Sequence, residues 1–264
     1  MNGPIGFFVF SGAGNTLLVA ERMSEVFREH GIEVHLAPLE RTDPADTDRF
    51  VSLGLAFTVA MFSTYPFVWD FMEKLPPGRG REVFMVDTMG GMSGGMVGPL
   101  KSLLVRKGYK PVGAREIRMP SNYSRTETGG EKDREKIRKG LGEARKYATE
   151  LLRGTSRWGR FPVAPDLVSR ISRNPMGRPW RMMRKSFVLE VNPHKCTRCG
   201  LCKRICPVGN IRIEDIPVFG SECQLCQRCF AFCPEAAISV SGKEYVQYRS
   251  VERTKMLKFL GESA

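Results

Sequence analysis

Two stretches in the last quarter of the chain repeat one another. CTRCGLCKRICPVGNI runs from Cys196 to Ile211, and CQLCQRCFAFCPEAAI from Cys223 to Ile238. Both read C-x2-C-x2-C-x3-C-P. An offset of 27 residues carries Cys196 onto Cys223, Cys199 onto Cys226, Cys202 onto Cys229 and Cys206 onto Cys233, and likewise Pro207 onto Pro234 and Ile211 onto Ile238. All eight cysteines lie in these two runs, and none lies in the 195 residues before them. A repeat of two is too short for a solenoid and suits a small module with pseudo-two-fold symmetry. Zinc ribbons use paired CxxC knuckles without a third cysteine at the next i+3 step. A disulfide framework does not suit a reducing compartment, and a cytoplasmic location is the expectation here. No secretory signal precedes the first strand-like run at Ile5 to Phe10, and the longest apolar run, Val51 to Phe62, is too short to span a bilayer.

Three thiols at i, i+3 and i+6 in a looping segment can wrap one iron–sulfur cubane, while the fourth points away from it. The pattern resembles that of bacterial-type 2[4Fe–4S] ferredoxins over about residues 187–242. In those proteins the fourth cysteine of each run ligates the other cluster. The resemblance therefore implies one [4Fe–4S] cluster on Cys196, Cys199, Cys202 and Cys233, and a second on Cys223, Cys226, Cys229 and Cys206. The flanking stretches SFVLEV, IPVF and AISV are expected as the short strands of this module.

The cysteine-free part begins IGFFVFSGAGNTLLVAERMSEVFREHG. Ile5 to Phe10 is a buried-strand run, Ser11 to Thr16 a turn, and Leu17 to His30 has helical spacing. A strand, a short Gly/Ser/Asn/Thr loop and a helix N-terminus make a cradle for a phosphate group. A Walker A loop is absent, and so is a G-x-G-x-x-G dinucleotide turn. Farther on, apolar runs expected as strands (Glu33 to Ala37, Phe50 to Phe57, Val83 to Asp87 and the segment YKPVGAREIRMP) alternate with helical stretches (Phe67 to Leu75, MVGPLKSLLVRKG and Glu131 to Arg153). This alternation predicts an α/β domain, a parallel sheet with helices on both faces.

SGAGNT resembles the FMN phosphate loop of flavodoxins, [ST]-x-[TS]-G-N-T. Together with FTVAMFSTYPFVWDFMEKLP, MVDTMGGMSGGMVGPLKSLLVRKGYKPVGAREIRMPSNY and the cysteine module, it resembles a microbial family that fuses a flavodoxin-like domain to a 2[4Fe–4S] ferredoxin. The resemblance implies a five-stranded parallel flavodoxin-like sheet followed by a small α+β ferredoxin domain. It implies FMN cradled at the phosphate by Ser11, Gly12, Ala13, Gly14, Asn15 and Thr16. A second flavin loop would be Ala60, Met61, Phe62, Ser63 and Thr64, with Phe62 near the ring. A third would be Thr88, Met89, Gly90, Gly91, Met92, Ser93, Gly94 and Gly95. Packing is the expected role of Tyr65 and Trp69, and Met119 to Tyr123 is read either as a plain turn or as a flavin contact.

The expected organisation is residues 1–153 for the flavodoxin-like domain, 154–186 for a basic Pro-rich bridge, 187–242 for the ferredoxin domain and 243–264 for a tail or helix. A short helix is expected within FPVAPDLVSRIS. The formal net charge is +13, and it is uneven. Residues 154–188 hold eight Lys/Arg against one Asp/Glu, whereas residues 1–100 hold seven against twelve. The bridge reads either as a wrap that neutralises acidic clusters or as a docking surface for an acidic redox partner. Charge without a recognition motif gives no nucleic-acid role. The leading functional expectation is electron transfer with FMN and two [4Fe–4S] clusters, as a carrier or a small reductase. The rival is a flavin-free scaffold in which only the ferredoxin module carries electrons.

Overall fold

The computed structural model describes residues 1, 3–91, 95–123, 125–159 and 178–263, with only the backbone of 178 and 179. Five strands form one parallel sheet: β1 (Ile5–Val9), β2 (Val34–Pro38), β3 (Ser52–Thr58), β4 (Glu82–Met89) and β5 (Lys110–Arg118). Their order is β2-β1-β3-β4-β5, every pair parallel. That is the flavodoxin-like doubly wound order, in which the chain reverses direction across the sheet between β1 and β3. β1 is buried at every position and β3 at all but its last. Helices cover both faces of these strands, so they read as unbroken apolar runs rather than alternating ones.

Helices α1 (Asn15–Glu29) and α4 (Glu131–Leu152) cover one face; α2 (Pro66–Lys74) and α3 (Val97–Arg106) cover the other. Alternate residues of β4 divide between the two cores. Phe84 and Val86 pack under α1 and α4, while Val83 and Met85 face α2 and α3. Tyr65 and Trp69 are fully buried in the second core, as their expected packing role requires.

Helix α5 (Arg178–Ser186) follows the Pro-rich stretch. The helix expected in FPVAPDLVSRIS lies outside the described residues. The C-terminal part contains two small antiparallel pairs: β6 (Leu189–Val191) with β9 (Ile238–Val240), and β7 (Ile211–Ile213) with β8 (Pro217–Phe219). Between them lie the short helices α6 (Leu201–Arg204) and α7 (Arg228–Phe232). Helix α8 (Arg253–Phe259) lies in the tail. Among the described residues, no helix is long and apolar enough to cross a membrane.

Candidate metal centre and the adjoining crevice

The sequence repeat is also a conformational repeat. Arg198 and Leu225, Gly200 and Gln227, and Gly209 and Ala236 are equivalent pairs at the 27-residue offset, and all six have positive φ. Helices α6 and α7 begin at the equivalent positions Leu201 and Arg228, and strands β7 and β9 are equivalent throughout. Left-handed residues bend each run tightly and can turn successive backbone N–H groups toward a common centre. Most residues avoid this backbone region, so its reuse by Arg198, Leu225 and Gln227 marks a constrained loop rather than a loose one.

Two cavities lie inside the module. One is lined by Cys196, Cys199, Cys202 and Cys233. The other is lined by Cys223, Cys226, Cys229 and Cys206. Each therefore takes three thiols from one run and one from the other. The two crossing cysteines have matching environments: Asn210 N–H donates to Cys206 Sγ (3.4 Å) and Ala237 N–H to Cys233 Sγ (3.3 Å). Among the described residues, no three His, Cys, Asp or Glu side chains converge on the position of a single metal ion.

The cavities differ in exposure. Cys199 is exposed, whereas Cys226 and Cys229 are buried. Burial pushes the Cys202 thiol up to about 11 and the Cys226 thiol up to about 12, and it holds Cys229 well above the ordinary thiol range. Desolvation disfavours a thiolate; bound iron reverses that preference, because a coordinating thiol is deprotonated outright.

The second cavity sits against the C-terminal edge of the parallel sheet. Cys226 is part of the core beneath α2 and α3. Gln224 Oε1 accepts from Phe67 N–H (3.3 Å), and Tyr123 Oη donates to the Leu225 carbonyl (2.6 Å). Arg228, 1 % exposed, donates through Nε to the Ser11 carbonyl (3.1 Å) and through Nη1 to Glu40 and to the Ile205 carbonyl. Its guanidinium also lies over the Phe10 ring, 4.8 Å from the centroid.

These contacts meet the loop Ser11–Thr16. A Cβ added to Gly12 would overlap the Cys226 carbonyl oxygen. One added to Gly14 would come within 2.7 Å of Val251 Cγ2 and 2.8 Å of Ser250 Oγ. Gly14 itself has φ 101°, which suits glycine at the mouth of α1. The Ala13 carbonyl accepts from Ser250 N–H (2.9 Å), and Asn15 Oδ1 accepts from Tyr248 Oη (2.8 Å). Ser11 Oγ accepts from Gly14 N–H, Asn15 Nδ2 donates to the Pro120 carbonyl, and Thr16 Oγ1 bonds the hydroxyls of Thr58 and Thr88. Ser11, Ala13 and Thr16 are all buried. With the module docked, the loop does not fit an FMN phosphate, because this chain's own atoms fill the space in front of it.

The other loops implied by the resemblance are placed as follows. Ala60 and Ser63 exchange backbone hydrogen bonds across a tight turn in which Met61 and Phe62 are left-handed. Phe62 is 51 % exposed at its tip, whereas Ser63 and Thr64 are buried. Thr88 is buried, and the Met89 carbonyl accepts from Met119 N–H. Gly90 abuts Ser121, and Gly95 is buried before α3. Met92, Ser93 and Gly94 lie outside the described residues. Sequence reasoning missed Glu40, Arg228 and Tyr248, which make interdomain bonds; Tyr123, within the segment read as a plain turn or a flavin contact, bonds the Leu225 carbonyl instead.

Residues 189–212 match a 4Fe–4S binding domain, and residues 220–241 match a second. The chain is a flavodoxin-like domain joined to a ferredoxin-type 4Fe–4S module. This fusion is an electron-transfer redox protein that binds iron–sulfur clusters. Solved structures similar to its first part include a flavodoxin from the domain Archaea, at 12 % identity over 55 % of this chain and 99 % of that one, with a TM-score of 0.41. A short-chain flavodoxin associated with a non-canonical PDU bacterial microcompartment gives 15 % identity over 59 % and 100 %, with a TM-score of 0.44. Two-electron reduced Megasphaera elsdenii flavodoxin gives 21 % over 53 % and 98 %, with a TM-score of 0.37. The comparison with curated proteins finds no match.

Proposed function

We propose that the fusion relays electrons through two [4Fe–4S] clusters, one held by Cys196, Cys199, Cys202 and Cys233 and the other by Cys223, Cys226, Cys229 and Cys206. The observation that carries this reading is the lining of the two cavities, three thiols from one run and one from the other in each. Cubanes held this way supply one-electron chemistry, and the protein supplies position and electrostatics. Exposed Cys199 makes the first site the face open to a partner protein. Buried Cys226 and Cys229 keep water from the second site, which adjoins the parallel sheet. The basic excess at 154–188 fits an acidic partner. The division into 1–153, 154–186, 187–242 and 243–264 is part of the same proposal. So is FMN at Ser11–Thr16, Ala60–Thr64 and Thr88–Gly95, but only in a form of the chain whose module has left the crevice. The filled crevice favours the flavin-free reading for the docked form.

Anaerobic assembly should give about eight irons per chain with matching acid-labile sulfide. Cys206→Ala should damage the second site more than the first, although Cys206 belongs to the first run. One tightly bound zinc without sulfide would end the proposal. Loss of the first cluster alone in Cys206→Ala would end the crossed ligation.

A further inference from the structure

In a 2-1-3-4-5 sheet the ligand crevice lies beyond the strand C-termini, at the switch point between β1 and β3. Here that crevice is bounded by Ser11–Thr16 after β1 and by the turn after β3. We infer that it is a socket for the chain's own Gln224–Arg228 segment, which carries Cys226, so that docking of this segment and binding of a flavin at the crevice exclude one another. The inference goes beyond the two-cluster reading and concerns what the parallel sheet does for the module.

Three kinds of observation converge on it. The first is steric: the Cys226 carbonyl occupies the position a Gly12 side chain would take, and Ser250 and Val251 close over Gly14. The second is polar: the segment is held from the sheet side by Phe67 N–H on Gln224, Tyr123 Oη on Leu225, and the Ser11 carbonyl and Glu40 on Arg228. Arg228 and Glu40 are 1 % and 3 % exposed at their side chains, so the latch is an ion pair sealed inside the interface. A buried pair of this kind works only as a pair, because either partner alone is left charged and desolvated. The third is apolar: Ala13 and Leu17 share one core with Leu201, Ile205, Phe232, Tyr248, Val251, Met256 and Leu257, so sheet domain, module and tail bury a common surface.

The interface also carries imperfections. Among the described residues, Glu40 Oε2, Arg228 Nη2 and Gln227 Nε2 are buried without a hydrogen-bond partner. Unmet polar atoms lower the cost of opening, because water satisfies them once the segment leaves. The latch is therefore specific but releasable, which a socket competing with a ligand requires.

Full-length, anaerobically assembled protein tests this, with iron measured in parallel so that failed cluster assembly is told apart from failed docking. Gly12→Ser places a side chain against the Cys226 carbonyl at the one loop position where the resembled phosphate pattern leaves the residue type open. Glu40→Gln removes the counter-charge of Arg228 from outside the loop, and it decides the matter if Gly12→Ser does not assemble. Backbone amide exchange across 224–228 should be faster in either variant by about tenfold or more. FMN added to the wild type should stay free, or bind with that same acceleration. Wild type that holds FMN while 224–228 stays protected would overturn the inference. So would protection in both variants equal to that of the wild type.

Discussion

Asp87 lies near the C-terminal end of β4 with no exposed surface, and neither carboxylate oxygen has a hydrogen-bond partner among the described residues. Burial raises its pKa well above the usual carboxylate range, and Glu116, its register neighbour on β5, adds to the effect. The folded chain therefore keeps the Asp87 proton at pH values where the unfolded chain has lost it. Unfolding then releases a proton, and stability falls as pH rises from about 4 through the folded-state pKa. One such proton gives a slope of at most about 1.4 kcal/mol per pH unit. Asp87→Asn removes it, so the variant should gain on the wild type with rising pH, by about 1–3 kcal/mol at pH 8. Anaerobic urea midpoints at pH 5 and pH 8 check this, and an equal midpoint difference at both pH values would refute it. Single residues also mark where sequence reading stopped. The cysteines declared themselves because their spacing is a chemical requirement. Glu40 and Arg228 did not, because their meaning comes from a contact 188 positions apart in the chain, and each in isolation reads as an ordinary surface charge.

Among the elements, α5 ties the basic stretch to the second thiol cavity. Trp180, fully buried, lies 6.0 Å from the Tyr65 ring, and Arg184 Nη1 reaches the Cys223 carbonyl at 3.4 Å. Arg181 and Lys185, each one residue further along the helix, are exposed. One helical face is anchored beside Cys223 while its neighbour presents two cations to solvent. Exposed cations act over a Debye length of about 8 Å at physiological salt, so they bear on encounter rather than on the bound state. Arg181→Gln with Lys185→Gln should slow reduction by an acidic donor, roughly 3–10-fold at low ionic strength, and flatten the salt dependence. A stopped-flow salt series compares it with the wild type; an unchanged slope rejects docking at this helix. Element by element, the sheet was legible because β1 and β3 are buried almost throughout and read as continuous apolar runs, while the strand-turn-helix alternation placed the more mixed β2 and β5. α5 was not, because Pro179 reads as a breaker when it is in fact compatible with the first turn of a helix. β7 spans only Ile211–Ile213, too short for any period to show.

At the scale of the whole molecule, the two domains share one buried surface and do not hang on a tether. Arg41, just after β2, donates to the Leu260 carbonyl and pairs with Glu262 (2.7 Å), and Glu262 also pairs with Arg204 of α6 (3.1 Å). Sheet domain, module and tail thus meet at a single carboxylate as well as in the core around Leu17 and Phe232. A module this small has too little core to hold its shape by apolar burial alone, and in such modules the free energy of metal binding is folding free energy. Loss of iron should therefore be felt beyond the cysteines. After oxidative cluster removal and chelation, the loops around Cys196 and Cys223 lose their organising centre, and the segment 224–228 loses its fixed path across the crevice. Amide exchange should then accelerate about tenfold or more, equivalent to about 1.4 kcal/mol, at Ser11–Thr16 and the first turn of α1. The centres of β1, β3 and β4 should change little, because their cover comes from α1 to α4 and from neighbouring strands. Exchange measured by mass spectrometry on iron-loaded and iron-free chains separates the outcomes. Uniform acceleration through the sheet would mean that the domains unfold as one unit. No change at Ser11–Thr16 would mean that the loop keeps its shape without the module against it.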